Sequence, residues 1–247
     1  MARVNDRPTS TSPPVDAASV AAQLAVVRHR IERAGGGDGV RVLAVTKGFG
    51  VDAVAAALAV GLTDLGESYA PELASKSSAA TTGTTGGVIR WHFIGRLQTN
   101  KVRRLTSTVA LWQSVDRPSL VRELARHAPG AAVLVQVNVS DEVQKGGCDP
   151  AGAPALVAEA VAAGLDVRGL MCIGAAGGDE AARPGFRLLR SLADDLDLRE
   201  RSMGMSGDLE AAVEEGSTMV RVGTALFGGR PGPATGDPRG GATGLRH

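Results

Sequence analysis

Aromatic residues make up only 3% of this 247-residue chain, and its acids and bases nearly cancel, leaving a net charge of +1. So few rings leave little on which nucleobases could stack, and no basic-aromatic interleaving is present. The near-neutral balance likewise gives no field to draw the chain to nucleic acid or an anionic membrane. The two cysteines, Cys148 and Cys172, lie far apart with no CxxC partner, and His29, His92, His127 and His247 show no ligand spacing, so a metal site is not expected. No apolar run is long enough to cross a bilayer and no signal-peptide core is visible, so the expected location is the cytoplasm, with reduced thiols.

What the chain does have is a large apolar share, 43%, in 25.2 kDa, enough for one large α/β domain or two small ones. A first helix is predicted over 16–34, with Val20, Leu24, Val27 and Ile31 on one face and Gly35, Gly36 and Gly37 closing it. Since it precedes any strand, it should pack outside the main fold. From 40 onward, short apolar runs alternate with helical patterns. Strands are predicted at 40–46, 63–66, 90–95, 109–115, 132–138, 167–173, 202–205 and 218–222. Helices are predicted at 51–60, 69–77, 100–105, 117–127, 154–163 and 184–196, with another after Ser206. The strands are almost continuously apolar, as expected when both faces of a sheet are covered. Eight strands alternating with helices favour an α/β fold of the closed (β/α)8 TIM barrel type with an extra N-terminal helix, over an open doubly wound sheet. Three stretches fall outside the pattern: a disordered N-terminus at 1–15, a low-complexity loop insertion at 77–87 on the barrel's amino-terminal face, and a disordered Gly/Pro-rich tail at 230–247. The domain itself is expected to span 16–229.

Residues 201–228 carry the most chemistry. An apolar segment runs into Ser206, which reads as a helix N-cap before Leu209, Ala212 and Val213; Gly216 stops that helix, and 218–222 is a β-branched run ending at Gly223 and Thr224. Two strand ends with small, hydroxyl-bearing residues and open backbone N–H groups could cradle a phosphate, and in a barrel the last two strand-to-helix loops are the usual place for one. Lys47, where the first strand ends, would face the same rim. In an apolar cleft its amine loses hydration and can attack an aldehyde, although a lysine that merely solvates a strand end is the commoner case. Polar or small residues recur at the other strand ends: Glu67 and Ser68, Gly95, Ser114 and Asp116, Gln136 and Asn138, then Met171 with Ile173 and Gly174. Glu67 and Asp116 could equally cap helices, and His92 could be a satisfied core imidazole. Arg221 is a guanidinium in an otherwise apolar strand and needs a partner, either a carboxylate such as Glu67 or a ligand lone pair such as the pyridine nitrogen of pyridoxal phosphate (PLP).

TKGF around Lys47, GESYAPEL at 66–73, WHFIGRLQTNK at 91–101, QSVDR at 113–117, VLVQVNVSDEVQKGG at 133–147, RGLMCIG at 168–174 and the whole run 202–228 resemble the pyridoxal phosphate homeostasis proteins. The resemblance covers about 16–229. It implies a barrel like the amino-terminal domain of alanine racemase, with Lys47 holding PLP as an internal aldimine. It further implies that Ser206, Gly223 and Thr224 hold the phosphate and that Arg221 faces the pyridine nitrogen. Met205, Ser68, His92, Gly95 and Met171 complete the expected cofactor-binding set. Ser68 stands where the family usually has asparagine, and Arg96 and Gly50 where it usually has proline. The family has no established catalytic activity and keeps vitamin B6 and amino-acid pools in balance.

An arginine opposite the ring nitrogen would weaken PLP as an electron sink, and no second domain or partner tyrosine like those of the racemases is expected, the single tyrosine being Tyr69. The expected function is therefore a non-catalytic, monomeric PLP-binding protein, with PLP-dependent apoenzymes as possible recipients and no nucleic-acid or membrane partner. Two alternatives stay open: a weak PLP-dependent amino-acid racemase or transaminase using Lys47 as base, and a Schiff-base aldolase acting on a sugar phosphate.

Overall fold

Each apolar run pairs in parallel with the next, and the last returns to the first, in a computed structural model that describes residues 14–82, 88–140 and 142–229. The strands are β1 (Arg41–Val45), β2 (Asp64–Glu67), β3 (Arg90–Phe93), β4 (Val109–Val115), β5 (Ala132–Gln136), β6 (Asp166–Met171), β7 (Glu200–Ser202) and β8 (Met219–Val222). Closure joins β1 to β8 through pairs such as Leu43 with Arg221, whereas β7 and β8 are registered only at Ser202 and Met219. The order β1 to β8 around a closed barrel is the predicted (β/α)8 fold.

Side chains alternate across the wall with the period of two that a strand imposes. Along β1, Val42 and Ala44 join the outer core beneath the helices, while Leu43 joins an inner cluster with Leu111, Leu134, Met171 and Met219. The outer layer comprises α1 (Ala17–Arg33), α2 (Val51–Ala59), α3 (Ala70–Thr82), α4 (Pro118–His127), α5 (Ala153–Ala162), α6 (Asp179–Asp195), α7 (Leu209–Glu214) and the single turn α8 (Thr224–Phe227). The added helix α1 starts at Asp16, whose carboxylate accepts the Ala18 and Ser19 N–H groups at 2.9 and 3.0 Å. It buries Val20, Val27 and Ile31 as expected and packs against α2, α7 and α8.

Four expectations shift. The seventh strand is β7, three residues beginning with charged Glu200 and Arg201, and the apolar segment 203–205 has already left the sheet. Gly204, at φ 93°, makes that departure, and a Cβ there would stand 2.5 Å from the Ala212 Cβ. Ser206 is not the cap of the helix that follows: α7 begins after Asp208, and the Asp208 side chain turns back to accept the Met205 N–H at 2.5 Å. Helix α6 opens with Asp179 and Glu180, acids suited to a helix N-terminus, and carries Pro184 inside rather than at its start. Helix α3 continues to Thr82, so most of the expected loop insertion at 77–87 is helical and only 83–87 lies outside the described residues. The expected disordered termini also lie outside them, except that Pro14 and Val15 are described, and the Val15 N–H donates to Asp52 Oδ2 at 2.7 Å. No helix of the described residues is long and apolar enough to cross a membrane.

Candidate functional site

At the carboxyl ends of β1, β6 and β8 the barrel opens into a cavity of about 140 Å³. Val45, Lys47, Ile94, Met171, Ile173, Met205, Ser206, Arg221, Gly223 and Thr224 line it. Seven of the ten residues expected at the site therefore meet at one place: Lys47, Met171, Met205, Ser206, Arg221, Gly223 and Thr224.

Lys47 is half-buried just past β1, and both of its neighbours are anchored. Lys76 Nζ donates to the Thr46 carbonyl at 2.6 Å, and the Gly48 N–H donates to Glu72 Oε1 at 2.6 Å. Lys76, on α3, also binds Glu67 Oε1 and Glu72 Oε1, each at 2.7 Å, and the Thr46 hydroxyl donates to Glu67 Oε1 at 2.5 Å. Glu67 thus neither caps a helix nor meets Arg221. It belongs to a buried charge cluster on the outer side of the wall, and its Oε2 has no partner there. Burial pushes its carboxyl above the usual range, against the opposing pull of the Lys76 and Thr46 hydrogen bonds.

Arg221 finds its partners in the wall itself. Its Nη1 donates to Ser202 O at 2.7 Å and to Ser202 Oγ at 2.9 Å, and its Nη2 to Cys172 O at 2.7 Å. Burial lowers its pKa, with Cys172 and Asp208 opposing, yet a guanidinium remains protonated in a protein. An arginine has five N–H donors, so these three bonds leave it others with which to address a ligand. The Cys172 thiol is pushed up to about 12 by burial and is inert beside it.

The loops after β7 and β8 bring Met205, Ser206, Gly223 and Thr224 to the cavity. Arg30 Nη2, reaching in from α1, holds the Ser206 carbonyl at 3.1 Å while the same guanidinium pairs with Glu210 at 2.5 and 2.6 Å. Gly223 lets the two walls approach, since a Cβ on it would stand 3.1 Å from the Val45 carbonyl. The amine, the guanidinium and the small-residue loops suit an aldehyde, a ring nitrogen and a phosphate. Among the described residues no group of His, Cys, Asp and Glu could hold a metal ion.

Three expected residues stand elsewhere. Ser68 lines a neighbouring cleft of about 650 Å³, with Tyr69, Arg96, Lys101 and Arg117. Gly95 marks a backbone crossing: a Cβ there would lie 2.1 Å from the Ser68 carbonyl, so its role is steric. His92 is buried below the cavity, with Nε2 2.9 Å from Asp64 Oδ1 and Nδ1 2.7 Å from Gln113 Nε2, the satisfied core imidazole of the two readings. The lining residues Val45 and Ile94 gave no sequence signal, since an apolar side chain at a strand end looks like core. Lys76 and Arg30 were hidden because they reach the site from helices.

Asp64 gives this network a pH signature. Burial favours its neutral form, but hydrogen bonds from His92 and Arg90 outweigh that and hold the carboxyl at about 2. Its stabilising contribution is therefore complete above an unfolded value of 3.8 and is lost as pH falls from there towards 2. Asp64→Asn should flatten the fall in thermal melting temperature between pH 4 and 2, measured against the unaltered protein; an unchanged slope would contradict the assignment.

Residues 15–231 match the family model described as alanine racemase, N-terminal domain. A pyridoxal phosphate homeostasis protein from Pseudomonas aeruginosa is 42% identical over 226 residues, covering 86% of this chain and 96% of that protein. The solved structure of PipY from Synechococcus elongatus with PLP bound superposes with a TM-score of 0.72 at 30% identity, covering 85% of this chain and 100% of that one. The alanine racemase of Streptomyces coelicolor, at 22% identity and a TM-score of 0.69, shares the fold over 87% of this chain and 59% of its own.

Proposed function

This chain belongs to the alanine racemase N-terminal-domain family and, within it, to the pyridoxal phosphate homeostasis proteins, and from that premise we propose that its cavity binds PLP for vitamin B6 and amino-acid homeostasis without turning substrates over. The observation that carries this reading is the convergence of Lys47, Arg221, Ser206, Gly223 and Thr224 on one cavity at the barrel's carboxyl rim. Lys47 would hold the cofactor through its aldehyde, the amine being the lining group able to bond to it. Ser206, Gly223 and Thr224 would hold the phosphate and Arg221 would address the ring nitrogen, with Met171 and Met205 supplying apolar lining of the same cavity.

When bound, PLP supplies an electron sink for carbanion chemistry. Arg221 keeps its own protons and so leaves the ring nitrogen an unprotonated acceptor, which weakens that sink. Lys47 and Arg221 are the cavity's titratable lining residues. Racemisation needs a second base on the opposite face, and Tyr69, 64% exposed, faces the neighbouring cleft instead. An aldolase would likewise need a general acid or base beside Lys47. The same reading makes the protein a monomer in the cytoplasm that passes PLP to dependent apoenzymes. Incubated with PLP and L-alanine or L-serine in deuterium oxide, the protein should exchange the α-hydrogen no faster than free PLP does. Sustained exchange above that control would establish an enzyme.

A further inference from the structure

The barrel interior holds more than apolar packing. A polar chain crosses it, beginning at Arg221 Nη1, which donates to Ser202 Oγ at 2.9 Å. Ser202 Oγ donates to Gln113 Oε1 at 2.7 Å, and Gln113 Nε2 meets His92 Nδ1 at 2.7 Å. His92 Nε2 lies 2.9 Å from Asp64 Oδ1, and Arg90 binds Asp64 Oδ2. Five strands contribute, β8, β7, β4, β3 and β2, and Ser202, Gln113 and His92 are all buried. Arg221 borders the cavity at the carboxyl rim, whereas Asp64 and Arg90 are the first residues of β2 and β3, at the opposite face.

The chain has one direction. Asp64, ionised and doubly bonded, can only accept, so His92 carries a proton on Nε2, and the Gln113 amide nitrogen, which also reaches Met219 Sδ at 3.2 Å, faces a lone pair at Nδ1. That lone pair takes the Gln113 amide proton, which turns Oε1 towards Ser202. The Ser202 proton is thereby committed to Gln113, and its lone pairs are left facing Arg221. Each assignment is consistent with the one before it. Leucines and valines fill this volume in other barrels and fold well, and a buried polar chain adds little net stability over them. What it does provide is a fixed acceptor beneath one edge of the guanidinium.

Resting on the reading that the cavity holds PLP, we propose that His92 is a positioning residue. It acts through Gln113 and Ser202 to aim Arg221 at the cofactor's ring nitrogen, and so couples the amino-terminal face at Asp64 and Arg90 to cofactor retention at the other end.

The experiment compares His92→Leu and His92→Gln with the unaltered protein, each loaded with PLP, by visible absorption and by the rate of cofactor release. His92→Leu should release PLP about tenfold faster, the order of effect of a lost buried polar link, with a shifted absorption maximum. His92→Gln, whose amide can donate to Asp64 and accept from Gln113, should restore most of both. In an Arg221→Lys background His92→Leu should add nothing. Wild-type release and spectrum from a His92→Leu protein with native circular dichroism would overturn the proposal, as would additivity with Arg221→Lys. Should His92→Leu fail to fold, Ser202→Ala cuts the last link alone and carries the same expected loss. Failure of the unaltered protein to take up PLP would instead overturn the functional reading. The chain itself is then read by 15N NMR of the unloaded protein, in which His92 Nε2 should carry a proton and Nδ1 should accept; a proton on Nδ1 would refute the relay.

Discussion

Lys47→Ala protein mixed with PLP is expected to stay colourless and to release the cofactor on gel filtration, while the unaltered protein turns yellow and keeps it. The lysine occupies the second position after β1, and its neighbours on either side are tied to α3 through Lys76 and Glu72, so its backbone is held while its side chain reaches the cavity. Such an anchored amine is preorganised, which lowers the entropic cost of bond formation. Removing it leaves Arg221 and the loops at Ser206, Gly223 and Thr224 in place, so binding should weaken rather than vanish, by at least ~100-fold, or about 2.7 kcal/mol. Because Lys47 is only half-buried, stability should change by less than about 1 kcal/mol. Absorbance and fluorescence titrations read the first effect and a thermal melt the second. A yellow Lys47→Ala protein would mean that another amine does the work.

Lys76→Met should be the most damaging single change to the fold near the site. Lys76 is 4% exposed, Glu67 fully buried, and the pair lies between α3 and the ends of β1 and β2. Deleting one partner of a buried ion pair leaves the other charge uncompensated, a loss of roughly 3–5 kcal/mol and a fall of roughly 10 °C in melting temperature for a domain of this size. Glu67 already has a raised folded pKa, chiefly from burial, so the folded state holds that proton more tightly than the unfolded chain does. Stability from such a group is fullest at low pH and declines as pH rises above the unfolded value of 4.5. The Lys76→Met protein, stripped of the opposing ammonium, should accordingly be less damaged at pH 5 than at pH 7.5. Lys76→Met combined with Glu67→Leu should recover most of the loss. The single variant should also bind PLP more weakly, since the tie to the Thr46 carbonyl goes with the lysine. A melting temperature unchanged at pH 7.5 would show that the cluster carries no such charge.

The fold was legible because a parallel barrel needs strands that are largely apolar, and runs such as β1, β4 and β5 have that character. The strand that was misplaced, β7, has its charged residues satisfied at the amino-terminal rim, Glu200 by Arg41 at 2.6 Å and Arg201 by Asp194 at 2.7 Å, so nothing in its composition reads as a strand. The start of α6 was missed because Pro184 looks like a first-turn residue, although it lies well inside the helix.

Position at a strand end was a good guide to the site but did not say which way a residue faces. Lys47, Arg221 and Thr224 turn to the cavity. Glu67 turns outward to Lys76, Ser68 lines the next cleft, and His92 points inward but lies too deep to line the cavity. Only the pleat and the register of neighbouring strands decide this, and both belong to the closed sheet rather than to any one segment. The partners of Arg221 were equally out of reach, being the Ser202 carbonyl and hydroxyl on β7 and the Cys172 carbonyl just past β6.

Borohydride reduction of the PLP-loaded protein, followed by proteolysis and mass spectrometry of the peptides, tests the central assignment most directly. A single pyridoxyl adduct on Lys47 is the predicted result. An adduct on Lys76, Lys101 or Lys145, or none at all in a protein that retains PLP, would contradict it.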